Sequence, residues 1–137
     1  RNGTPDLQDR DELLLLIKVV SQATSIDRRR IVVQGVSGTG CGAYAQVLLS
    51  PDVFRGAIVE NAHMGPWRQY GDQARPGKRM YLFTRTDDFN APATKELAKA
   101  MRRARMHVEY EELLGGHERM TPEELVVAAR WMDGVIR

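Results

Sequence analysis

The chain has 137 residues, a length that suits one domain built around one core. Hydrophobic residues make up 42% and charged residues 28%, the balance of an ordinary soluble globular protein, and a net charge of +2 gives no reason to expect nucleic acid as a partner. The longest apolar run, Leu13-Leu14-Leu15-Leu16-Ile17, falls far short of the roughly 20 residues of a membrane span, and the single Cys41 excludes an internal disulfide.

Residues 4–21 read as a helix. Thr4-Pro5-Asp6 offers a cap, a proline at the first helical position and an early acid, and the leucine run that follows is apolar almost all round, so the helix is expected to be well buried. Arg28-Arg29-Arg30 reads as a solvated turn before the β-branched strand Ile31-Val32-Val33-Gln34. Gly35-Val36-Ser37-Gly38-Thr39-Gly40 is a turn too rich in glycine to be helical, and Ala43–Leu49 is a helix stopped near Ser50-Pro51.

Gly56–Glu60 is a second strand, and residues 61–78, with three glycines, two prolines and no period, read as a loop. Met80–Thr84 is a third strand and residues 92–105 a helix. Val108-Glu109-Tyr110-Glu111 alternates like a half-exposed edge strand. Thr121-Pro122-Glu123-Glu124 carries a capping box, and Leu125, Ala128, Ala129, Met132 and Ile136 form the inner stripe of the last helix. Strands alternating with helices imply an α/β three-layer sandwich, with a mostly parallel sheet of about four strands.

Two motifs compete for the glycine turn. Gly35 and Gly40 have the spacing of a phosphate-binding loop, but Cys41 and Gly42 stand where that loop needs a lysine and a hydroxyl, so the nucleotide reading is the weaker one. Gly35-x-Ser37-x also fits a nucleophile elbow, G-x-S-x-G, with Thr39 in place of the second glycine, a departure that bears on the aim of Ser37. The two readings part downstream. An elbow needs an acid and then a histidine on later loops, and the third strand runs into Asp87-Asp88 while the fourth runs into Gly115-Gly116-His117. Either Asp87 or Asp88 satisfies the order. His63 comes too early and His107 opens an edge strand. No His/Cys spacing suggests a metal site, and no cofactor is expected.

Ile26 to Ser37, followed by Ser50-Pro51-Asp52-Val53-Phe54-Arg55-Gly56-Ala57, resembles α/β-hydrolase esterases of the polyhydroxyalkanoate-depolymerase and acyl-esterase type, and Asp88-Phe89-Asn90 and Gly115-Gly116-His117 resemble their acid and histidine loops. The resemblance runs from the helix before the Ser37 strand to the last helix. It implies the C-terminal half of an α/β-hydrolase, spanning 1–137 as one domain, and a serine esterase acting on an acyl ester. Ser37 is then the nucleophile, His117 the base and Asp88 its orienting acid. The backbone N–H of Gly38 is an oxyanion donor. The 61–78 segment lies where this fold often covers substrate, so Met64 and Trp67 are substrate-binding candidates, with packing onto the body as their plainer role.

The early strands of that fold are absent, and with them a second oxyanion donor worth on the order of 100–1000-fold in rate. The strand 31–34 is then expected to have an open apolar edge. A second copy of the chain, a partner chain or an N-terminal half would cover it. A non-catalytic hydrolase-like binding module is the alternative to an enzyme. The sequence does not name a substrate or a compartment.

Overall fold

The structure, a computed structural model, describes residues 7–134. Four strands, β1 (Val32–Val36), β2 (Gly56–Glu60), β3 (Arg79–Arg85) and β4 (His107–Leu113), form one sheet in the order β1-β2-β3-β4. Every pair is parallel, in registers such as Gly35 beside Val59 and Val59 beside Leu82. Parallel neighbours need crossover connections. The helices α2 (Gly38–Leu49), α3 (Gly65–Tyr70) and α4 (Ala91–Arg103) lie in those connections, with α1 (Leu7–Ala23) before the sheet and α5 (Pro122–Asp133) after it.

Strand side chains alternate between faces. Ala57, Val59, Met80 and Leu82 pack with Val47 and Leu48 of α2 and with Leu97 and Met101 of α4. Ile58, Tyr81 and Phe83 point the other way, onto Ala128 and Met132 of α5. The result is the expected three-layer sandwich. Full burial of side chains such as Leu82 and Leu97 stabilises it by roughly 1.5–3 kcal/mol each. β4 alternates between exposed and half-buried positions over most of its length, as an edge strand should. The capping box forms: Thr121 Oγ1 accepts from Glu124 N at 3.2 Å, and Glu124 Oε2 accepts from Thr121 N at 3.0 Å.

Four expectations need correction. The first helix is not well buried: Leu15 is 60% and Val19 52% exposed. Among its described side chains only Leu13 and Ile17 pack on the core, because the described sheet ends at β1 and offers no further strand to the rest of that surface. The Thr4-Pro5-Asp6 cap lies outside the described residues. The glycine turn is helical from Gly38 onward. Helical glycine costs about 1 kcal/mol relative to alanine, and the compensation here is close approach: a Cβ on Gly40 would lie 2.9 Å from the Glu60 carbonyl oxygen. The 61–78 segment holds α3 and the 3-10 turn Gly71–Gln73, a helix too short to show a period, started by Pro66 and tied down by Trp67 N donating to Tyr44 Oη at 3.1 Å. In α5, Ala129 is exposed rather than inward, and Ile136 lies outside the described residues.

The β1 edge is unpaired among the described residues. Beside it an apolar hollow of about 420 Å³ opens between the sheet and α5, lined by Val32, Ile58, Val126 and Met132.

Candidate active site

The C-terminal ends of the parallel strands bring the chemistry together. At the end of β1 the chain turns into α2 through Ser37, which is held at φ 56° and ψ −120°. Non-glycine residues rarely adopt that region, and the strain costs on the order of 1–3 kcal/mol. Two contacts enforce it. Ser37 N donates to the Glu60 carbonyl at 2.7 Å, and Gly35 lets the turn fold back so closely that a Cβ there would lie 2.1 Å from the Thr39 carbonyl oxygen. Thr39 does not crowd the turn. Its exposed hydroxyl accepts from Val36 N at 2.9 Å and donates to Val36 O at 2.8 Å, while Gly40 supplies the close packing behind the serine.

Ser37 Oγ makes no capping bond to α2. Gly38 occupies the first helical position, where the N–H has no intrahelical acceptor and lies at the positive end of the helix dipole. That is where a developing oxyanion beside Ser37 would be stabilised.

The loop after β3 carries the acid. The Asp88 side chain is fully buried and Asp87 is exposed. One Asp88 oxygen accepts from Asn90 N at 2.6 Å, and the other is bonded to His117 Nδ1. Engaging Nδ1 leaves Nε2 as the nitrogen free for proton transfer. The His117 ring is also stacked on Phe89, with centroids 4.5 Å apart. The acid and histidine loops are stitched together by Thr86 N to Leu113 O at 2.8 Å and Asp87 N to Gly115 O at 2.9 Å.

Several polar residues in this assembly drew no attention in the sequence. The buried Glu60 carboxylate accepts from Gln34 Nε2 at 2.7 Å and from Met120 N at 2.6 Å, so it joins the Ser37 strand to the end of the histidine loop. Asn61, at φ 53°, donates through Nδ2 to Glu118 O at 2.9 Å, and its carbonyl accepts from Asn90 Nδ2 at 3.0 Å. Arg85, also buried, pairs with Glu124 at 2.9 Å. Each is a polar or charged residue at the end of an apolar strand, where a buried polar group must find a partner, and each partner lies far along the chain.

The other candidates make no hydrogen bond to Ser37, Asp88 or His117 among the described residues. His63 is exposed and its Nδ1 accepts from Gly65 N at 3.0 Å, while His107 opens β4 at the far end of the strand from Asp88. Met64 and Trp67 are half-buried and pack against the core. Cys41 is fully buried and its Sγ accepts from His63 N at 3.4 Å; burial pushes its thiol pKa up. No group of three or more possible metal ligands occurs among the described residues, and no helix there is long and apolar enough to cross a membrane.

No protein-family model and no curated protein matches the sequence. Solved structures do. A Bacillus cereus carboxylesterase superimposes with a TM-score of 0.73 at 23% identity, over 99% of this chain and 66% of that one. Arabidopsis thaliana SOBER1 gives 0.66 at 21% identity, over 100% and 70%. The Staphylococcus aureus fluorophosphonate-binding serine hydrolase FphF gives 0.73 at 16%, over 89% and 62%. The chain thus spans about two thirds of the length of these structures. At such identities the likeness speaks for the fold: the four-stranded parallel sheet and its helices match part of these α/β-hydrolase structures.

Proposed function

We propose that the chain is the nucleophile-bearing part of a serine hydrolase acting on carboxylic esters or related acyl substrates. The observation that carries this reading is the buried Asp88 bonded to His117 Nδ1, at the same end of the sheet as a serine held at positive φ between a strand and a helix. In this reading His117 Nε2 takes the Ser37 proton as Oγ attacks the acyl carbon. The carbonyl oxygen becomes an oxyanion facing Gly38 N–H, and the imidazolium returns the proton to the leaving alcohol. Asp88 holds the ring and stabilises its cation. Water then repeats the sequence on the acyl-enzyme. Met64 and Trp67 would offer substrate the parts of their side chains left uncovered by the core. The experiment is treatment of the folded chain with a fluorophosphonate and location of the adduct by mass spectrometry. Modification of Ser37 that disappears in His117→Ala supports the reading; a folded chain that stays unlabelled counts against it.

A second reading is a hydrolase-like module that is inactive without another segment against β1. It is favoured by the open β1 edge, by the apolar Leu15, Leu16 and Val19 left exposed, and by the absence of a Ser37–His117 hydrogen bond among the described residues. Such a bond is often long before substrate arrives, so labelling decides between the two. Sedimentation at micromolar concentration tests the edge: a monodisperse monomer argues against self-pairing there.

A further inference from the structure

We infer that Arg85 is the positioning residue of the histidine loop: from the end of β3 its guanidinium pins that loop on both sides of His117, and so sets the approach of the imidazole to Asp88. The inference rests on the triad reading above for its catalytic meaning, but the geometry stands by itself. Arg85 Nη1 donates to Leu114 O and Nη2 to Arg119 O, each at 3.3 Å. Those carbonyls lie three residues before and two residues after His117. The guanidinium is in turn fixed by Glu124 of α5, at 2.9 Å and 3.3 Å from the two carboxylate oxygens, and by Glu118 at 3.7 Å. It lies over the Phe83 ring at 4.9 Å, and only 8% of its side chain is exposed.

The backbone of the same residue holds the acid loop, since Asp88 N donates to Arg85 O at 3.0 Å. One residue therefore references both members of the Asp88–His117 pair to the rigid end of a central strand. The loop is shaped to receive it. Gly115 sits at φ 137°, and a Cβ there would lie 2.5 Å from Arg85 Cδ, so the arginine stem occupies the space a side chain would need. A planar fork with several donors can reach two diverging carbonyls and a carboxylate at once; the single ammonium of lysine cannot. A loop with two adjacent glycines has little conformational preference of its own, which is why an external clamp is required to hold His117.

The test uses the whole chain and the pair of substitutions Arg85→Met with Glu124→Gln. Removing both charges avoids stranding a buried carboxylate, and glutamine retains the capping bond to Thr121. Cooperative thermal unfolding establishes that the variant is folded. Two readouts follow: the downfield proton NMR resonance of His117 Nδ1–H bonded to Asp88, and the rate of Ser37 labelling by fluorophosphonate. The expected result is loss or severe broadening of the resonance and a fall in labelling of about 100-fold, the scale of a misplacement near 1 Å. Arg85→Lys, which keeps the charge but gathers its donors on a single nitrogen, should restore part of both. A folded double variant with an unchanged resonance and labelling rate would overturn the inference. If the double variant does not fold, Arg85→Lys alone decides by the same two readouts. If the unsubstituted chain shows the resonance but never labels, the hydrolase reading fails, while the resonance still decides the role of Arg85.

Discussion

Replacing Gly35 by alanine probes the elbow without reference to activity. The added methyl would lie 2.1 Å from Thr39 O, 2.3 Å from Thr39 C and 2.7 Å from Gly40 N. All three are backbone atoms of the turn and the first turn of α2, so no side chain can swing aside. Relief requires moving α2 away from β1, which disturbs the packing of Gly40 on Glu60 O and the Ser37 N bond to the same carbonyl. Overpacking of this kind costs about 1–3 kcal/mol, and a clash with backbone belongs at the upper end. An unfolding entropy of about 2.1 cal/mol/K per residue over a chain of this size gives roughly 0.3 kcal/mol/K, so about 3 kcal/mol lowers the melting temperature by about 10 °C. Gly42 is the internal control. It is also helical in α2, but a Cβ there meets nothing within 4 Å, so Gly42→Ala should stabilise by about 0.5–1 kcal/mol and raise the melting temperature by a few degrees. Thermal unfolding followed by circular dichroism measures both. A Gly35→Ala chain that melts with the unsubstituted one, or a Gly42→Ala chain that melts well below it, would refute the steric account of the turn.

Ser37→Gly should stabilise the chain by about 1 kcal/mol by relieving the positive φ, while abolishing fluorophosphonate labelling; a lower midpoint in chemical denaturation would show that the residue is not strained. Asp88→Asn should cut the labelling rate by as much as 10⁴-fold through the wrong imidazole tautomer, whereas Asp87→Asn, at an exposed position, should leave it nearly unchanged; equal effects would mean that the two loop acids share the role. Burial raises the pKa of Cys41 above its ordinary 9.0 and pushes those of Tyr44 and Tyr81 up as well. The unfolded chain therefore ionises first, so their contribution to stability is full below about pH 9 and declines as pH rises above it. Denaturation midpoints measured from pH 7 to pH 11 should fall on the alkaline side, less steeply in Cys41→Ala, and a flat profile would contradict the burial of these groups.

Much of the assembly was legible before folding. The strands declared themselves by short β-branched and aromatic runs, because a parallel sheet buried on both faces tolerates little else. Ser37, Asp88 and His117 could be singled out because a doubly wound sheet delivers loops from successive strands to one end, so their order along the chain carries spatial meaning. The residues that hold this end together were not legible. Glu60, Asn61 and Arg85 look like ordinary strand-end polar residues until Met120, Glu118 and Leu114, some 30 to 60 positions away, arrive as their partners.

The α1 surface shows the same division. Its leucine run announces a helix with apolar surface, yet burial depends on what lies beside it, and the described sheet ends at β1. Thr39 is an instance in the opposite direction: by size it should disturb the elbow, and only the folded backbone shows its hydroxyl turned onto Val36 while Gly40 takes the tight contact. The sequence by itself determined the layers, the order of the strands' loops and the residue types at their tips, because periodicity and turn chemistry are local. Tertiary structure alone decided which acid meets the histidine, which glycine bears the close approach and which arginine clamps the loop, because those are contacts between segments distant in the chain.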